Sequence, residues 1–187
     1  MNRSRDRHGW RTTGARTVYR NRWLALREYR IVYPNGRPGI YGIVEKGPGI
    51  AVVALNGRGE IYFTRQYRYT VNREFLELPA GAIADGEPAR SAARRELFEE
   101  TGIRAKRWNR LGSFYTALGH ENAEIITYLA RDLDESRLTR ANKEHDEGIL
   151  DIVPLSVREV KRLVNANRIN CGITLASLHL FFAHQGK

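Results

Sequence analysis

The chain has 187 residues, 42% of them apolar, which is enough for one domain with a buried core plus a small appendage and excludes a disordered composition. No apolar run approaches the ~18 residues needed to span a bilayer, the N-terminus has no apolar stretch of the signal-peptide kind, and Cys171 is the only cysteine, which excludes an intrachain disulfide and a cysteine-rich zinc site. A cytoplasmic protein with no membrane partner is therefore expected.

The formal net charge of +10 is concentrated at the start of the chain. Residues 1–22 hold seven arginines (Arg3, Arg5, Arg7, Arg11, Arg16, Arg20 and Arg22) against Asp6 alone. This segment is read as a basic, flexible, solubilising tail. A nucleic-acid contact through it is the competing reading and is not favoured.

Residues 23–46 are read as an extended hairpin. Leu24 to Tyr33 and Ile40 to Glu45 are rich in aromatic and β-branched residues and flank the turn signal Pro34-Asn35-Gly36. A lone hairpin is not stable in water, so it must pack on its own domain or pair with a second copy. Ile50 to Leu55 reads as a short buried strand, Asn56 to Gly59 as a turn, Glu60 to Tyr69 as a strand, and Phe75 to Leu78 as a short extended piece ended by Pro79. A glycine-rich loop, Ala80 to Gly86, precedes a helix from Pro88 to Thr101, with Gly102 as its stop. Leu111 to Tyr115, Ile125 to Ala130 and Ile149 to Val153 read as strands. Ser156 caps a helix to about Ala166, and Thr174 to His184 is a last helix. Strands dominate early and helices are few, which predicts an α+β sandwich.

The chemistry is concentrated between Gly81 and Ile103, GAIADGEPARSAARRELFEETGI. On a wheel of 100° per residue, Glu99 falls about −60° and Glu100 about +40° from Glu96. Ala89, Ala92 and Ala93 lie on the same stripe. Like charges at three and four residues repel by about 0.2–0.5 kcal/mol each, so a carboxylate trio beside a packing face calls for a counter-charge. A hard divalent cation supplies one and leaves positions for phosphate oxygens. Glycines at 81 and 86 would let the backbone take positive φ and approach a ligand, and a loop entering a helix N-terminus suits phosphate.

This segment resembles the Nudix box at every prescribed position: Gly81, Glu87, Arg95-Glu96, Leu97, Glu99-Glu100, Gly102 and Ile103. Nine matches at fixed spacing arise by chance less than about once in a billion starting positions. The resemblance implies a Nudix αβα sandwich with a mixed β-sheet and an N-terminal β-hairpin extension. It implies hydrolysis of the diphosphate bond of a nucleoside diphosphate derivative with magnesium, or manganese in its place. Glu96, Glu99 and Glu100 resemble the metal ligands, with the Ala80 carbonyl as a further one. Gly81 shapes the turn beside the substrate, and Arg95 with Glu87 holds the loop and orients the acidic face. The hairpin, Arg65 to Arg68, Glu77 to Gly81 and Gly112 to Asp132 look like the ADP-ribose diphosphatase branch. Arg68 there matches an arginine that meets substrate phosphate. In that branch the N-terminal strands swap between subunits, which implies a homodimer through residues 23–46 and a Nudix domain over 47–187.

One feature departs from the branch. Its proline-containing stretch is replaced by Ala117-Leu118-Gly119, and its loop glutamate, the general base, falls at Ala123. Glu121 and Glu124 flank that position and are the candidates to replace it, Glu121 first because it lies in the freer part of the loop. Two other functions compete with sugar-nucleotide hydrolysis: RNA 5′-end pyrophosphohydrolysis, and a non-catalytic nucleotide sensor, which retention of every box carboxylate disfavours.

Overall fold

A computed structural model describes residues 6–138 and 148–186, which divide into two compact units. The first comprises Met1–Gly47 with Tyr115–Glu124, and the second Pro48–Phe114 with Ile125–Lys187.

In the first unit, β1 (Arg11–Arg20), β2 (Ala25–Val32) and β3 (Pro38–Glu45) form an antiparallel sheet with β2 in the middle. The β2–β3 hairpin turns where Pro34-Asn35-Gly36 predicts. Tyr33 N donates to Arg37 O at 2.9 Å, and Gly36 sits at φ 81°. The expected flexible tail is corrected over Arg11–Arg20, which is a strand. Thr12, Thr13, Thr17, Val18 and Tyr19 carry its β-propensity, and solvated arginines are compatible with an edge strand. Arg16 pairs with Glu28 on β2 at 2.8 Å. Residues 1–5 lie outside the described part. With β1 in place the hairpin has a third strand, the minimum for a stable sheet with an apolar face. The segment Tyr115–Glu124 lies along β3: Val44 N donates to His120 O at 2.8 Å, and the Tyr41 hydroxyl to Gly119 O at 2.8 Å.

In the second unit, β4 (Gly49–Ala54) is buried at every residue. Its alternation sends Ile50, Val52 and Ala54 into a core with Ala92, Ala93 and Leu97 of α1 (Ala89–Thr101). Val53 faces a second core with Leu178 and Phe181 of α3 (Gly172–Gln185) and Val160 of α2 (Val157–Asn165). Helices thus cover both faces of β4, and one strand's period of two builds both cores. The expected α+β layering and mixed sheet are present. β7 (Ala80–Ala82) runs antiparallel to β4, whose other edge pairs in parallel with β9 (Glu124–Asp134), with β8 (Arg104–Tyr115) beyond. A separate sheet places β5 (Glu60–Arg68) between β6 (Arg73–Glu77) and β10 (Ile149–Ser156).

β8 starts seven residues before the predicted strand at Leu111, because Arg104–Arg110 is mostly exposed and lacks an apolar run. Ser156 caps α2 as expected, accepting from Glu159 N at 3.2 Å, a cap contributing about 1 kcal/mol. Among the described residues no helix is long and apolar enough to cross a membrane.

Candidate active site

Helix α1 starts directly after Pro88 and stops at Gly102, whose φ of 72° lets its N–H reach Phe98 O at 2.8 Å. Between these ends the small face packs: Ala92, Ala93 and Leu97 are fully buried. That packing carries Glu96 and Glu100 inward, to 7% and 4% exposure, while the Glu99 side chain stays at the rim. The shared carboxylate face is therefore graded, with two members beside the core and one toward solvent.

The loop before the helix is shaped around Glu96. An added Cβ at Gly81 would lie 2.1 Å from the Glu96 carboxyl carbon and within 2.4 Å of both its oxygens. Gly81 is thus required for space. The expected positive φ holds only at Gly86, at 77°. Gly81 sits opposite Ile50 in the β4–β7 ladder, where extended backbone suits it and the missing side chain leaves room for the carboxylate. Gly81→Ala is expected to lower turnover at least tenfold by displacing Glu96, whereas Gly57→Ala, which meets nothing within 4 Å, should leave it unchanged. Wild-type turnover in Gly81→Ala, measured with thermal melts on both variants, would show that the seat of Glu96 is immaterial.

Arg95 is the electrostatic hub. Its Nε and Nη2 reach the two Glu87 oxygens at 3.1 and 3.0 Å, Nη1 reaches Glu96 at 2.7 Å and Glu99 at 3.0 Å, and Nη2 also donates to Ala82 O at 3.0 Å. Glu87 also accepts from Ala84 N at 3.1 Å. The Arg95 guanidinium and that backbone N–H hold the Glu87 carboxyl below its ordinary value, and Glu87 with Glu96 and Glu99 raises Arg95. One arginine therefore closes the loop onto the helix and sets the direction of two carboxylates.

Ala80 lies in β7 opposite Ala51, and its N–H donates to Glu100 Oε1 at 3.3 Å. The donor set formed by Glu96, Glu99, Glu100 and the Ala80 carbonyl is all hard oxygen, which fits Mg²⁺ or Mn²⁺ chemistry. Yet among the described residues no three or more His, Cys, Asp or Glu side chains are gathered as a metal cage. Glu96 and Glu99 turn to Arg95 instead, so a cation must compete with that guanidinium for them.

Arg68, at the end of β5, forms a two-pronged pair with Glu77 of β6, Nε–Oε1 2.9 Å and Nη2–Oε2 2.7 Å. Glu77 is buried, and its hydrogen bonds raise Arg68 above its ordinary value. Sequence reading assigned Glu77 no role. Its signal was a carboxylate inside the short strand before Pro79, where an unpaired charge would be costly. Arg68 is thus held rigid and remains half-exposed.

The other two candidates lie in the first unit and at its border. Glu121, expected in a free loop, instead forms a bridge to Val44. It accepts from the Thr116 hydroxyl at 2.5 Å and pairs with Lys46 Nζ at 3.1 Å. Burial pushes its carboxyl up, but the Thr116 hydroxyl and the Lys46 ammonium outweigh that and hold it below the ordinary range. Lys46 is a partner that sequence distance concealed. Glu124 is half-buried at the first position of β9, as its abutting strand implied.

Comparison with known proteins matches residues 45–169 to the NUDIX domain. The chain belongs to the Nudix family. Residues 10–44 match the nucleoside diphosphate sugar hydrolase N-terminal domain, so β1 and the hairpin are part of a recognised module. This Nudix hydrolase is 32% identical to the ADP-ribose pyrophosphatase of Mycobacterium tuberculosis over 91% of this chain and 82% of that one. It is 26% identical to the ADP-ribose pyrophosphatase of Bacillus subtilis over 85% of each. A crystal structure of an ADP compounds hydrolase shares its fold, with a TM-score of 0.78 at 20% identity over 93% of this chain and 92% of that one. Members of the family work with divalent metal ions, in keeping with the oxygen donors on α1.

Proposed function

We propose that this Nudix hydrolase cleaves the diphosphate bond of a nucleoside diphosphate sugar, ADP-ribose foremost, yielding a nucleoside monophosphate and a sugar phosphate. The observation that carries the reading is the pairing of a complete box on α1 with an ordered N-terminal sheet matching the sugar-hydrolase module. Magnesium, with manganese as substitute, is the proposed cation on Glu96, Glu99, Glu100 and the Ala80 carbonyl. When bound it neutralises diphosphate charge and acidifies a water.

The chain's own residues supply the rest. Arg95 and Glu87 hold the loop so that Glu96 stays over Gly81. Arg68, stiffened by Glu77, presents its free guanidinium edge to a substrate phosphate, a group it matches in planar geometry. A carboxylate, Glu121 or Glu124, accepts the proton of the attacking water. The test is a panel of nucleoside diphosphate sugars, dinucleotides and 5′-triphosphorylated RNA with Mg²⁺, scored by product mass. Cleavage of the RNA with the sugar nucleotides untouched would overturn the proposal.

We also propose a homodimer built on the N-terminal sheet. Val18, Tyr19, Trp23 and Ile40 are 52–68% exposed there, and only Ala25, Tyr29 and Ile31 of β2 are buried. Light scattering at micromolar concentration should give twice the 21.4 kDa chain mass, and a monomer would end the idea.

A further inference from the structure

The outer flank of α1 and the start of β8 line an open cleft of about 400 Å³, formed by Arg94, Arg95, Phe98, Arg104, Ala105 and Trp108, with Arg95 alone reaching back to the box carboxylates. Three guanidiniums and two aromatic rings line it, and no carboxylate does. Arg95 is already neutralised by Glu87, Glu96 and Glu99. Arg94 and Arg104 are exposed and, among the described residues, form no salt bridge; Asp134 on β9 is close enough to feel the charge of Arg104 without pairing with it, so both guanidiniums stay open to an anion. The Arg104 guanidinium lies 4.3 Å from the centroid of Phe98, which presents it as a flat plate. Trp108 is fixed from behind: its Nε1 donates to Ala105 O at 3.0 Å, and it packs edge-on against Tyr128, centroids 6.4 Å apart at 72°.

A rigid indole wall beside two unpaired guanidiniums selects a ligand with a planar ring and a doubly charged anion. Simple anions would gain nothing from Trp108, and an apolar ligand would bury the arginines at a loss. The volume is within the range of small-molecule sites. We propose that this cleft is a second nucleotide-binding site, taking a nucleoside monophosphate with its phosphate on Arg94 and Arg104 and its base against Trp108. The proposal stands independently of the substrate assigned above.

The experiment titrates the full chain, without divalent cation, with AMP, adenosine or inorganic phosphate. Tryptophan emission is read in the wild type and in Trp108→Phe. AMP should quench Trp108-dependent emission and bind at least tenfold more tightly than adenosine or phosphate. Arg94→Ala/Arg104→Ala, at two exposed positions, should weaken AMP at least tenfold while Mg²⁺-dependent turnover stays within twofold. Arg94→Gln alone should move affinity the same way. Undiminished AMP binding in the double variant would overturn the site and leave the arginines as mere cover for Phe98. Phosphate binding as tightly as AMP would overturn it equally.

Discussion

Glu100→Gln and Glu99→Gln should each cut hydrolysis of ADP-ribose at saturating Mg²⁺ by at least a hundredfold, about 2.7 kcal/mol of transition-state stabilisation. The two substitutions test different positions on one helix. Glu100 is buried, and Ala80 N donates to its Oε1. The amide oxygen of glutamine can keep that hydrogen bond and fills the same volume, so the fold is retained while a charged oxygen ligand is lost. Glu99 is at the rim and pairs with Arg95. Its neutralisation removes one partial partner of an arginine that keeps two others, a change within about 0.5 kcal/mol of stability. Arg95 then has less to release when a cation arrives, so a purely structural role for Glu99 would leave turnover intact. Circular dichroism and melting curves establish folding, and turnover is measured across Mg²⁺ concentration. Near-normal activity in both folded variants would remove the assignment of α1 as the cation-holding face.

The second large effect concerns the proton acceptor. Glu121→Gln/Glu124→Gln should lower turnover by about 10²–10³, the range for loss of a general base. The single variants assign the role, and the pH profile distinguishes them further. If Glu121 is the base, activity falls on acidification only below the ordinary glutamate value of 4.5, because Lys46 and Thr116 favour its charged form despite burial. Removing that ammonium in Lys46→Met leaves burial less opposed, so the carboxyl titrates at higher pH and the acidic limb must move upward. A limb that stays in place in Lys46→Met would exclude Glu121 as the base. A double variant with wild-type turnover and an unmoved limb would put the base elsewhere, among Glu87, Glu96 and Glu99.

The box, the helix carrying it and most strands were legible because they depend on local rules. A short continuous apolar run marks β4, a proline and a glycine bracket α1, Pro34-Asn35-Gly36 makes the hairpin turn, and nine spaced residues name the chemistry. β1 was misread because seven arginines outweighed the threonines, valine and tyrosine among them, and a strand's partner is set by pairing rather than composition. Gly81 was recognised, but for a torsion angle. Its true constraint is the Glu96 carboxylate lodged in the space a side chain would fill, a contact between residues fifteen positions apart. The same limit hid Glu77 behind Arg68 and Lys46 behind Glu121. By itself the sequence determined the reaction class, since ligand identity and helical spacing are local. Only the tertiary structure decided which carboxylates are buried, which arginine is spent on them and which arginines remain unpaired, because desolvation and charge pairing act between segments that meet only when the chain folds.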